Sequence, residues 1–464
     1  MTKLKIRKKI GIFCAALGLA AALSGCMFAS SPEELYSLPK LPDEFVDLEQ
    51  ELAALVNSGY EYAAPTGGEN IQLVQMVDID GDNVDEALVF LRKSDDAKPM
   101  KIYVFKQQKE RYQAASVIEE SAASIDQVDY RDMNGDGILE IIVGWRMMNT
   151  ESSNYLPEDS VSERALTRLV SAYNMERYDC QKILETSYNR YVLTDLDGNN
   201  VPELVTIAGS GVGTCSAAVY EWDLGVLQQV CAAKLSVPPA MLDGVRVGGL
   251  TDGKQALFVT GVVDERNRIT DILVLDTGTL TNCVMDEQSG TSRLVYRNSS
   301  IQARDVNGDG VLEIPISYEL PKTNEDAQTY WALNWTAFSG KGETQIVETT
   351  YHNLTDGWYL VLPESWKAVL MITNVTSTSG ERAVTFGVYR GEDEAPLDIL
   401  TIYTETGDSR EYKANKGNRF VLARQTAAIY AAECLPGYSS WSGAMNEDAL
   451  KEAFHLVRTD WYAR

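Results

Sequence analysis

One nine-residue pattern recurs four times along the chain and constrains the fold more than any other feature. It reads DIDGDNVDE at Asp78 to Glu86, DMNGDGILE at Asp132 to Glu140, DLDGNNVPE at Asp195 to Glu203 and DVNGDGVLE at Asp305 to Glu313. Near-regular self-similarity of this kind means one supersecondary unit used repeatedly, so the chain has to be parsed as an array. The starts lie 54, 63 and 110 residues apart, and the last interval is about twice the first, so a further copy belongs between the third and fourth. The stretch LTDGKQALFV at Leu250 to Val259 supplies it. It keeps an Asp-Gly and aligns Gln255-Ala256-Leu257 with Glu86-Ala87-Leu88, but its loop is about three residues shorter and lacks most acidic positions.

Each loop lies between short apolar runs that read as strands: Leu88 to Leu91, Ile141 to Val143 and Leu204-Val205 follow the first three. Two more strand-like runs then come in the first unit, Lys101 to Phe105 and Tyr112 to Val117, with turn residues between them. Four short strands in roughly 55 residues, repeated, is the signature of a propeller blade. The spacing therefore predicts a mainly β chain, with a β-propeller of about five blades over residues 70–350. The polar stretch Asn149 to Glu163 reads as a surface loop of the second unit.

The loops carry the chemistry. With the first Asp as position one, oxygen-bearing side chains fall at positions one, three, five and nine. They are Asp78, Asp80, Asp82 and Glu86; Asp132, Asn134, Asp136 and Glu140; Asp195, Asp197, Asn199 and Glu203; Asp305, Asn307, Asp309 and Glu313. Alternate residues of a tightly curled loop converge their oxygens, and Gly or Asn at position six permits the left-handed backbone that the curl needs. Hard oxygen ligands in a flexible ring suit Ca²⁺. Mg²⁺ asks for a tighter octahedron and Zn²⁺ for nitrogen or sulfur ligands. An EF-hand would place its bidentate Glu at position twelve and run into a helix, whereas here position twelve is apolar and a strand follows.

The loops and their spacing resemble the FG-GAP/VCBS repeat family, calcium-loop β-propellers common on cell surfaces and in integrin α-subunit heads. The resemblance covers about 280 of the 464 residues. It implies a structural Ca²⁺ in each intact loop, clamping two strands and discharging carboxylates that would otherwise repel. The family commonly closes the loop with Asp at position nine, where this chain has Glu.

The N-terminus supplies an address. Lys3, Lys5, Arg7, Lys8 and Lys9 precede an apolar run from Ile10 to Leu23, the layout of a signal peptide. That run is shorter than the ~20 residues a stable membrane-spanning helix needs. Leu23-Ser24-Gly25-Cys26 resembles the lipobox of bacterial lipoproteins, which implies cleavage before Cys26, lipidation of its thiol and anchoring on the outer face of the cytoplasmic membrane. Loss of residues 1–25 leaves 36 basic against 67 acidic residues, a net charge of −31. So acidic a chain does not suit nucleic acid, whose binding needs Lys and Arg to neutralise phosphates.

Residues 26–69 then read as lipidated Cys, Pro/Ser-rich tether and a helix from Asp43 to Asn57, with Phe45, Leu48, Leu52, Leu55 and Val56 at helical spacing and Gly59 as its stop. Residues 351–464 read as an α+β domain. Its strands begin at Trp358 to Trp366, continue at Phe386 to Tyr389, Leu397 to Tyr403 and Arg419 to Leu422, and a helix runs from Asn446 to Arg458.

Catalytic signatures are sparse. His352 and His455 are the only histidines, there is no GxSxG elbow, and Gly209 to Gly213 lacks the strand-to-helix context of a phosphate loop. Cys180, Cys215, Cys231, Cys283 and Cys434 form no CxxC and read as small buried residues. Trp331, Trp335, Trp358, Trp366, Trp441 and Trp461 crowd the last third, as core residues or as platforms for sugars or a partner. The sequence thus favours a non-enzymatic, surface-tethered calcium-binding module for an envelope or extracellular protein or glycan. Its alternatives are a carbohydrate-active hydrolase or lyase on a propeller, for which no carboxylate pair can be chosen, and a scaffold in envelope assembly.

Overall fold

The computed structural model describes residues 46–108, 111–148, 166–176, 179–210, 213–297 and 301–458. The signal segment, Cys26, the tether, the Asn149 to Glu163 loop and Trp461 lie outside the described residues.

The expected N-terminal helix is present as Val46–Asn57. It buries Leu48 and Leu52 against Ala87, Val89, Leu91 and Phe105 of the first sheet, while Val56 faces solvent, so the apolar stripe is narrower than its spacing suggested. Gly59 ends the helix at φ +93°, a left-handed conformation that costs glycine least.

The chain is mainly β and forms separate antiparallel sheets in sequence order. In the first sheet, Val74–Val77, Glu86–Arg92, Met100–Gln108 and Arg111–Glu120 pair consecutively, and Glu61–Tyr62 pairs with the far end of Glu86–Arg92. The second sheet is Ser124–Arg131, Glu140–Met148, Leu166–Glu176 and Asp179–Ser187. The third is Arg190–Thr194, Glu203–Ala208, Ser216–Asp223 and Val226–Lys234. The fourth is Leu242–Gly249, Gln255–Val262, Asn267–Asp276 and Thr279–Asn282, with Val295–Arg297 added on Asn267–Asp276. The fifth contains Ile314–Glu319, Trp331–Phe338, Thr344–Asn353 and Trp358–Val361.

The second strand of the first unit is apolar on both faces because it is covered on both. Ala87 to Leu91 are all fully buried, with Leu88 and Phe90 packed toward the second sheet and Ala87, Val89 and Leu91 toward the helix. Successive cores join the second sheet to the third, the third to the fourth and the fourth to the fifth. Among the described residues the apolar cores join each sheet to the next in chain order, and none joins the first sheet to the fifth.

The C-terminal part departs from expectation in two places. The residue 350/351 boundary falls inside the strand Thr344–Asn353, and Phe454–Leu456 returns to pair with Trp358–Val361 as the fifth strand of that sheet. The helix expected from Asn446 to Arg458 is shorter, Glu447–Ala453, with the Asn446 side chain accepting from the Ala449 N–H at 2.8 Å. Phe454 leaves the helix because its ring packs beside Trp358 and Tyr430 and its backbone completes an open sheet edge. A last sheet orders Leu370–Thr378, Glu381–Val388, Leu397–Thr406, Ala428–Cys434 and Phe420–Arg424, and shares one core with the fifth sheet. The alanine-rich interior strand Ala428–Cys434 is small enough for the helix Arg410–Ala414 to pack on it through Ala414.

Candidate metal loops and an adjoining cavity

The first three acidic loops join the first two strands of their units, and the fourth leads from an isolated bridge at Arg304 into Ile314–Glu319, all in one register. Val77, Arg131, Thr194 and Arg304, each immediately before position one, pair with Glu86, Glu140, Glu203 and Glu313. Position one organises the curl. Asp132 Oδ1 accepts from the N–H groups of Gly135 and Asp136, and its Oδ2 accepts from Gly137; Asp195 and Asp305 repeat the pattern, and Asp78 accepts from Asp82 and Asn83. Position five accepts from position seven, as Asp82 does from Val84 and Asp309 from Val311. The left-handed backbone expected at position six is there in Asn83, Gly137, Asn200 and Gly310, and position four repeats it in Gly81, Gly135, Gly198 and Gly308.

The closing glutamates are the buried members. Glu86, Glu140, Glu203 and Glu313 are at most 1% exposed, and the Oε2 of each accepts from the backbone N–H of position two, at Ile79, Met133, Leu196 and Val306. Burial pushes the carboxyls of Glu140, Glu203 and Glu313 up to about 7, and the nearby loop aspartates add to the shift. The second oxygen of Glu313 has no hydrogen-bond partner. Asp78, Asp80 and Glu86 converge one oxygen each within 4.8 Å, as do Asp195, Asp197 and Glu203. Asn134 and Asn307 bring an amide to the same place, donating to Asp136 and Asp309.

Sequence reasoning missed the residue facing each closing glutamate across the second and third strands. Lys106 follows Phe105, the partner of Ala87; Asn174 follows Tyr173, the partner of Ile141. Glu221 follows Tyr220, the partner of Leu204, and Ala337 follows Thr336, the partner of Ile314. Lys106 Nζ pairs with Asp80, with Asp82 at 3.0 Å and with Glu86 at 3.6 Å. Asn174 donates to Glu140 at 3.0 Å. Glu221 lines a small cleft with Glu203, Asn199 and Asn134. Hairpin lengths differ between units, so only the sheet register reveals this series.

Neighbouring loops touch. The Leu139 N–H donates to the Ile79 carbonyl at 2.8 Å, linking the second loop to the first. The degenerate copy is a tight turn in which Leu250 donates to Lys254, and Gly249 exchanges hydrogen bonds with Gly310 and Leu312 of the last loop.

A cavity of about 780 Å³ opens between the fifth and the C-terminal sheets, lined by Tyr330, Tyr351, His352, Asn353, Asp356 and Arg382 among others. Arg382 pairs with Asp356, and the Tyr430 hydroxyl donates to the Asp356 carbonyl. His352 stacks on Tyr359, its Nε2 lies 2.9 Å from Thr350 Oγ1, and burial pushes its imidazole down to about 3. His455, expected on a helix, lies in the returning strand and stacks on the other side of the fifth-sheet residue Tyr359.

Trp335, Trp358 and Trp366 are fully buried, which makes them core residues and not sugar platforms. Trp331 is half-buried under the Arg297 guanidinium, and Trp441 packs on Trp366. The five cysteines from Cys180 to Cys434 are free thiols, of which Cys215 is fully buried. The Gly209 run leads from one strand to another, Glu203–Ala208 to Ser216–Asp223. No helix of the described residues is long and apolar enough to cross a membrane.

No protein-family model and no curated protein matches the chain. Among solved structures it is similar to a rhamnogalacturonan lyase from Bacillus licheniformis, at 11% identity and a TM-score of 0.31 over 73% of this chain and 76% of that one. It is also similar to a GDP-Man-dependent mannosyltransferase from Leishmania mexicana, at 10% identity and a TM-score of 0.17 over 76% of this chain and 94% of that one. At these scores neither likeness bears on function.

Proposed function

We propose that this chain is a lipid-anchored, calcium-clamped array of propeller blades that serves as a binding module on the outer face of the cell. The observation that carries the calcium assignment is the buried closing glutamate repeated in one frame, with the second oxygen of Glu313 left without a partner beside Asp305 and Asp309. A buried carboxylate oxygen without a donor is costly, and a hard divalent cation held by the loop's oxygens offsets that cost. Positions one, three, five and nine supply only oxygen donors, which fits Ca²⁺ better than Zn²⁺. Anchoring through Cys26 puts the loops where calcium is millimolar, enough to fill weak sites.

The ligand enters this reading through the cavity between the fifth and C-terminal sheets. Its mix of aromatic rings, amides and one Asp–Arg pair suits a polar ligand such as a glycan or a protein loop.

Calcium should raise the melting temperature and chelator lower it, with Asp305→Ala and Asp132→Ala each removing part of the difference. A melt indifferent to chelator rejects the metal. Cys26→Ser should abolish lipid labelling and release the protein from membranes; unchanged retention rejects the anchor.

A further inference from the structure

The four closing glutamates share one register, positions three and five vary between Asp and Asn, and the side chain across the hairpin runs through cation, amide, carboxylate and methyl: Lys106, Asn174, Glu221 and Ala337. In the first loop, the ammonium of Lys106 reaches the same oxygens a metal would use. It pairs with Asp80, with Asp82 at 3.0 Å and with Glu86 at 3.6 Å, and Lys106 is only 8% exposed. The Glu86 oxygen facing it has no hydrogen bond, so its compensation is this charge. A divalent ion placed among Asp80, Asp82 and Glu86 would meet an ammonium already there. The two cannot share the oxygens, because like charges at such separations repel strongly in a buried setting.

We propose that Lys106 is the resident cation of the first loop, which therefore closes its hairpin without metal while the other loops depend on calcium. The contrast with those loops rests on the calcium reading given above, but the role of Lys106 can be judged without it. The first unit abuts the N-terminal helix, so a charge carried by the chain itself keeps that unit closed when calcium is scarce.

The test counts calcium ions bound per chain by equilibrium dialysis on the full chain and follows its melt in chelator. Lys106→Met should bind one ion more than the unaltered chain, melt lower in chelator and recover on adding calcium. Adding Asp80→Asn to that variant should remove the extra ion, which places it in the first loop. Lys106→Arg should keep the original count. In the second unit, Asn174→Lys reproduces the first loop's arrangement and should lower the count by one, a readout that does not require Lys106→Met to fold. Equal counts in the unaltered chain and in Lys106→Met overturn the proposal, as does a Lys106→Met melt in chelator identical to the original. An unaltered chain that binds no calcium rejects the metal reading of the other loops; the gain or lack of an ion in Lys106→Met then decides the role of Lys106 by itself.

Discussion

Arg419 shows how much of the C-terminal sheet rests on one charge. Its guanidinium donates to Glu405 at 2.7 Å, to Glu381 at 3.0 Å and to the Lys413 carbonyl at 3.1 Å, and it stacks over the Tyr403 ring. Glu405 is fully buried, and burial together with Glu381 raises its carboxyl above the ordinary range. Removing the arginine takes away the charge that hydrogen-bonds this buried carboxylate and leaves only the field of Lys413; breaking a buried pair in this way generally costs about 3–5 kcal/mol. Arg419→Met should therefore lose about 3 kcal/mol in urea unfolding, since methionine keeps part of the packing. The loss should depend on pH in a definite direction. Below about 4.3, the ordinary glutamate value, both folded and unfolded chains keep the proton and the penalty is smallest. As pH rises the unfolded chain releases it, the folded variant resists, and stability falls. In the parent the folded Glu405 carboxyl is itself raised to about 7, so parent and variant lose stability together up to about pH 6 and the gap should widen only from there to pH 8. A gap flat up to pH 8 would exclude an electrostatic origin.

At the scale of elements, the strand pattern was legible because the loop motif punctuates it: Leu88 to Leu91, Lys101 to Phe105 and Tyr112 to Val117 all fall inside observed strands. The shortened fourth copy was legible too, and Gly249 explains why it can be short. A Cβ there would stand 2.5 Å from the Gly310 carbonyl, so the bare backbone lets the fourth and fifth units exchange hydrogen bonds directly. What stayed hidden depended on pairing partners distant in sequence. Lys106 is 20 residues beyond Glu86 but Asn174 is 34 beyond Glu140, a spacing that no motif search would align. The strand Phe454–Leu456 was read as helix because Ala449, Leu450, Ala453 and Phe454 keep helical spacing, and only the open edge at Trp358–Val361 makes extension the better choice. The alanines of Ala428–Cys434 carry little strand preference of their own and gain it from the helix packed on them.

Across the whole molecule, each sheet is covered by the next, so a unit's stability depends on its neighbours, as in other repeat arrays. The last sheet of the array has its neighbour in the C-terminal sheet. Tyr351, Trp358 and Leu360 on one side and Ile372, Phe386, Ile402 and Tyr430 on the other form a single core. The two parts therefore share one core, and the cavity between them is lined by both. Phe454 is the keystone of that joint, 5% exposed and packed between Trp358 and Tyr430 while its backbone pairs with Leu360. Cutting such a ring back to a methyl group should cost about 3–5 kcal/mol. Because the core is shared, Phe454→Ala should lower the unfolding of the fifth and C-terminal sheets together, moving one calorimetric transition and the fluorescence change of the buried Trp335 and Trp366 by the same amount. If the C-terminal sheet melted earlier while Trp335 in the fifth kept its original midpoint, the two sheets would be independent units and the cavity a simple crevice between domains.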